Sequence, residues 1–212
     1  MSTVLRAIAR SLIVSLALSI ALTVALAIAR SAGAQAAPAA SRPWEVRVTS
    51  GALIGTGDQR RSVTDAQLTA LQLSWRVRES LALTATGGWA RSRDRVISGT
   101  PRLDVFTADL GAEMRAASRV VTGRVSFSPL AGLGVGMRSY NHRSLDTDAT
   151  HNVAGYVAAG GELGMGRVGI RLEVRDYATG FTPLTGSGAA QARNDLMVMG
   201  SLRVIRRAPS SR

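Results

Sequence analysis

Beyond residue 40 the apolar and polar positions alternate with a period of two, and no stretch holds a helical period. Trp44, Val46 and Val48 share a face with Ala52 and Ile54, while Glu45, Arg47 and Thr49 take the other. Similar apolar rows run through 71–77, 81–89, 106–114, 127–137, 153–163, 168–174 and 196–204. Each row predicts a strand with one apolar and one polar face. The fifth row is interrupted by Pro129, and Met197 and Met199 blur the eighth.

The links between rows alternate in length. Short ones fall at 78–80, near 116–119 and at 164–167. Long polar ones fall at 55–65, 91–101, 140–152 and 178–193. Both chain ends then lie on the short-turn side, the arrangement of an antiparallel up-and-down transmembrane barrel. If the apolar rows face hydrocarbon the sheet must close, because an open edge would strand backbone N–H and C=O groups without partners. Closure at eight strands leaves a lumen just wide enough for side chains to fill.

The first 36 residues read as an export signal, helical in its apolar stretch. Arg6 and Arg10 form a basic start, 11–29 is apolar apart from Ser and Thr, and Ala34-Gln35-Ala36 is a small-residue cleavage site. An uncleaved membrane helix is the competing reading. The expected organisation is a signal peptide at 1–36, a linker at 37–43, the barrel at 44–206 and a tail at 207–212. Either reading places the rest outside the cytoplasm, which argues against nucleic acid as a partner despite a net charge of +12. All 26 basic residues are Arg. With no Cys and two His, neither a disulfide scaffold nor a His- or Cys-built metal site is expected, and no cofactor is called for.

The seventh row fixes the inward face. Arg171, Glu173 and Arg175 alternate with Ile170, Leu172 and Val174. Charges enclosed in a barrel must pair, and Glu45, Arg47, Asp109, Glu113, Arg115, Glu162 and Arg203 fall on the same faces of other rows. An interior ion-pair network of these ten residues is expected, with Arg171 and Arg175 reaching Glu113 and Glu162 among others. The alternative is a soluble secreted β-sandwich with the charges in water and the apolar rows in its core, which alternation alone does not separate from a barrel.

With these features the chain resembles the small eight-stranded outer-membrane barrels, the OmpA-type transmembrane domain and the OmpX- or OmpW-like proteins. The resemblance covers nearly all of 42–206. Its most specific part is Gly160-Gly161-Glu162-Leu163-Gly164 leading into Val168 to Tyr177, followed by Asn194-Asp195 opening the last strand. It implies an outer-membrane location and a structural or surface-binding role, with a narrow pore as the one mode of transport. The implied partners are outer-membrane lipid, lipopolysaccharide and the assembly machinery, and a monomer is expected. The last strand ends in Val204-Ile205-Arg206 instead of an aromatic, and Trp44, Trp75, Trp89, Tyr140 and Phe181 are the only candidates for aromatic girdles.

Four further patterns bear on chemistry. His142-Arg143-Ser144 is similar to a motif of lipid A deacylases; a Ser144 nucleophile would need His142 as base and a carboxylate behind it, with Asp146, Asp148 and Glu162 the nearest following. Asp146 and Asp148 alone do not make a Ca²⁺ loop. The row Gly132, Gly134, Gly136 leaves room for bulky inward neighbours such as Tyr156 and Arg171. Finally, Arg60, Arg61, Arg91, Arg93, Arg95 and Arg143, with Arg102 and Arg138, fall in or beside the long loops, where guanidinium groups would meet lipid phosphates.

Overall fold

The structure is a computed structural model that describes residues 44–57, 59–123, 125–143, 149–165, 168–181 and 191–204, without the side chains of 181, 191, 192, 203 and 204. The expected signal segment, linker and tail lie outside the described residues.

Among the described residues nine strands form: β1 (Trp44–Gly55), β2 (Ala66–Arg78), β3 (Leu81–Arg93), β4 (Arg102–Arg115), β5 (Arg119–Thr122), β6 (Val125–His142), β7 (Thr150–Met165), β8 (Val168–Phe181) and β9 (Gln191–Val204). Every neighbouring pair is antiparallel, β1 pairs with β9, and β4 pairs with β6. All but β5 therefore close into an eight-stranded ring. The short β5 stands outside it, folded back on the first residues of β6 with Arg119 opposite Phe127.

Burial follows the alternation, inverted relative to a water-soluble domain. On β8, Leu172 and Val174 are 59% and 43% exposed, while Arg171, Glu173 and Arg175 are 3%, 4% and 1% exposed. Val46, Val48, Leu71, Leu110, Leu133, Val135 and Leu202 are exposed in the same way around the ring. The two-sheet alternative is thereby corrected: one sheet closes on itself and encloses its charges, and among the described residues no second apolar layer covers the outer rows.

The ladders run further than the apolar rows. β1 runs to Gly55, β3 to Arg93 and β6 to His142, and β7 begins at Thr150, so the long links shrink to 56–65, 94–101 and 143–149. Backbone pairing needs no apolar side chain, and the parity of the strand simply continues into polar residues. The first long link folds back over the lumen as a single helical turn, α1 (Gln59–Ser62), and Val63 pairs with Asp94. Beneath it the lumen is apolar, with Leu53, Leu68, Ala90, Leu103, Val105 and Met197 buried. The inward face is thus ionic over its middle and turn end, and near the long-loop end this apolar group lies beside buried Asp195, Thr179 and the His142–Asp94 pair.

Candidate functional site

The lumen holds a ladder of alternating charge. It starts at the turn end, where Arg47 bonds both carboxylate oxygens of Glu45, Nε at 2.9 Å, and reaches Gln72 at 3.3 Å. Arg115 approaches Glu45 at 3.7 Å and pairs with Glu113 at 2.5 Å. Arg171 donates to both oxygens of Glu113, Nη1 at 2.9 Å, and its Nε donates to Glu173 at 3.1 Å. Arg175 takes the other oxygen of Glu173 at 2.6 Å and reaches Asp109 at 3.2 Å. These contacts arise because residues two apart on a strand share a face, so Glu45/Arg47, Glu113/Arg115 and Arg171/Glu173/Arg175 meet within strands while Arg171 and Arg175 cross to β4. Glu162 lies half-buried opposite Arg171 in the β7–β8 register. The side chain of Arg203 lies outside the described residues.

Arg138 is corrected from a loop arginine to a lumen residue. It is fully buried, 3.6 Å from Asp109 and stacked 3.8 Å from the Tyr177 ring centroid. The sign of its placement was its parity with Gly134 and Gly136 on β6. Tyr140 follows the same parity into the lumen, 2% exposed, so it joins no girdle. Tyr177 adds a hydroxyl that donates to Asp109 at 2.7 Å, and Thr86 accepts from Arg175 at 3.1 Å.

The inward glycines make room for this packing. A Cβ on Gly134 would fall 2.6 Å from the Tyr156 ring, and one on Gly136 would fall on Asp109. The neighbour at Gly136 is thus Asp109 instead of Arg171. Tyr156 in turn lies against Tyr177, centroids 5.1 Å apart, and under the Arg175 guanidinium.

Over the apolar upper lumen, α1 is pinned from below. Gln59 donates to the Tyr140 hydroxyl at 3.1 Å, and Arg193 donates to Gln59 at 3.0 Å and to Ser62 at 2.8 Å. The second long link is held by a buried contact of His142 Nε2 with Asp94 Oδ2 at 2.9 Å. Among the described residues the carboxylate at His142 is Asp94, from the second long link. Ser144, Asp146 and Asp148 lie outside the described residues.

The seven remaining loop arginines divide in two. Arg60, Arg61 and Arg95 are exposed at the mouth, with Arg95 donating to the Arg60 carbonyl at 3.2 Å. Arg91, Arg93 and Arg143 lie exposed on or beside the outer wall, joined by Arg102. There Trp89 donates to Asp104 at 3.1 Å, Asp104 accepts from Arg143 at 2.5 Å, and Arg91 covers the Trp89 ring at 4.4 Å. At the opposite rim Trp44 and Trp75 stack with centroids 5.5 Å apart. Among the described residues no group of His, Asp and Glu is arranged to hold a metal ion.

No protein-family model matches the chain, and no curated protein matches it. Among solved structures it is similar to the crystal structure of Neisserial surface protein A (NspA), with a TM-score of 0.48 and 9% identity over 76% of this chain and 96% of that one.

Proposed function

We propose that this chain is an outer-membrane barrel with a structural or surface-binding role and a lumen occluded by its own side chains. The observation that carries the reading is the inverted burial of β8, with Leu172 and Val174 outward and Arg171, Glu173 and Arg175 enclosed. An apolar outer band is unfavourable against water and favourable against hydrocarbon. Closed strand pairing removes the edges that hydrocarbon does not tolerate. The stacked Trp44 and Trp75 at one rim and Trp89 with Phe106 at the other fit the two interfaces of a bilayer.

The ladder from Arg47 to Arg138 spans the middle of the lumen, and the apolar packing under α1 fills its upper end. Transport in this reading is limited to a narrow conductance that opens only as the ion pairs rearrange. The exposed arginines at the long-loop end serve as contacts for lipid phosphate.

The mature chain, 37–212, is refolded with and without detergent and run on gels before and after boiling. The reading expects solubility only with detergent or lipid and a mobility that changes on heating. A monodisperse chain in plain buffer overturns it.

A further inference from the structure

The outer wall is not a uniform apolar band. The register sets Leu71, Gly87, Ala108, Met137 and Val153 side by side across β2, β3, β4, β6 and β7. The next row toward the turn end is Leu73, Ala85, Leu110 and Val135. The small residues in the middle of both rows leave a furrow of about 580 Å³ in the outward face, lined almost wholly by apolar atoms. A Cβ on Gly87 would touch nothing within 4 Å, so the depression is open at its centre.

Directly above the furrow, toward the long loops, the same strands present Trp89 opposite Phe106, then Arg91 opposite Asp104, then Arg93 opposite Arg102. Arg143 joins this level through its backbone bond to the Arg102 carbonyl. Four arginines thus share this end of the wall with one carboxylate, Asp104, which Arg143 contacts. Asp104 and the Trp89 ring hold Arg143 and Arg91 in place, with Cζ of Arg143 5.9 Å and Cζ of Arg91 4.4 Å from the ring centroid. Apolar furrow, aromatic step and cationic ledge follow one another along the strand direction. That order matches an amphiphile with an acyl chain, a ring-bearing interfacial part and more than one phosphate.

We infer that this wall is a specific site for one phosphorylated, acylated saccharolipid of the lipid A class, with an acyl chain in the furrow over Gly87 and Ala108 and phosphate on Arg91 and Arg143. The inference rests on the outer-membrane reading, which turns the long-loop end toward the leaflet where such lipids reside. The surplus of Arg over acid on the ledge favours a bisphosphorylated headgroup over a singly charged glycerophospholipid.

The test uses the refolded chain in detergent micelles, titrated with bisphosphorylated lipid A, with dephosphorylated lipid A and with phosphatidylglycerol, and read by native mass spectrometry. One lipid A is expected to bind, and neither of the others at equal concentration. Arg91→Gln and Arg143→Gln are each expected to weaken binding about tenfold, the worth of one charge-assisted hydrogen bond. Gly87→Leu, whose side chain fills open space on the outer face, is expected to weaken it similarly. Arg119→Gln, exposed on β5 at the turn end, should leave it unchanged. Equal binding of phosphatidylglycerol, insensitivity to all three substitutions, or a dimer that Gly87→Leu disperses overturns the inference. If Gly87→Leu loses its heat-modifiable mobility, the exposed Arg91 and Arg143 variants carry the decision. A wild-type chain that inserts into liposomes yet binds no lipid A refutes this site alone, whereas one that needs no detergent refutes the membrane reading beneath it.

Discussion

Arg171 on β8 grips both carboxylate oxygens of Glu113 on β4, 58 positions earlier in the chain. The two strands are not neighbours in the ring, so the contact ties walls that share no backbone ladder. Both side chains are buried. Removing one member leaves the other enclosed without full compensation. Glu113→Gln is therefore expected to cost about 3–5 kcal/mol, measured as a shift of the urea midpoint for unfolding from lipid vesicles. Glu113→Leu combined with Arg171→Leu should cost less than the sum of the single changes, with a coupling energy on the order of 1–3 kcal/mol. Strict additivity would mean the pair is not formed.

Packing inside the lumen gives a sharper contrast among glycines. Gly134→Ala drives a methyl group against the Tyr156 ring and the Leu110 carbonyl. A loss of about 1–3 kcal/mol is expected, the usual cost of overpacking. Gly155→Ala, on the next strand, meets only the Gly134 carbonyl at 3.9 Å and should be close to neutral. The same unfolding measurement distinguishes them.

Two exposed valines separate hydrocarbon from water. Val174 is 43% exposed on the wall and Val120 is 75% exposed on β5, outside the ring. Val174→Arg is expected to destabilise the lipid-embedded barrel by about 2–4 kcal/mol, the cost of a basic residue facing the bilayer core. Val120→Arg should change little. In a water-soluble protein both substitutions would be neutral.

The buried contact between His142 and Asp94 anchors the second long link to the end of β6. His142→Ala should speed hydrogen exchange of residues 94–101 without moving the global unfolding midpoint. Unchanged exchange there would mean that the link is held by backbone bonds, Arg95 N–H to the Ser62 carbonyl and Asp94 N–H to the Pro101 carbonyl, without His142.

The strands that close the ring were legible because period two, sustained beside alternating charge, leaves few other arrangements for Arg171, Glu173 and Arg175. The elements that escaped have weak or absent periodicity. Arg119–Thr122 exposes every residue, so β5 carries no apolar row to mark it. Gln59–Ser62 is wholly polar, and its inward fold depends on Tyr140 and Arg193, residues distant in sequence. Arg138 escaped because its apolar row stops at Met137, although backbone pairing carries β6 on to His142. The furrow needs register across five strands, since Gly87 and Ala108 become neighbours only when β3 and β4 are aligned.

The central claim is the direction in which the β8 side chains point. The chain has no Cys, so Leu172→Cys, Val174→Cys and Thr179→Cys each carry a single nitroxide label in liposomes. Power-saturation electron paramagnetic resonance then compares collisions with oxygen, which partitions into hydrocarbon, and with a water-soluble nickel chelate. The account predicts strong oxygen and negligible nickel contact at 172 and 174, and weak contact with both at 179, where the native side chain is buried. Strong nickel contact at 172 and 174 would contradict it.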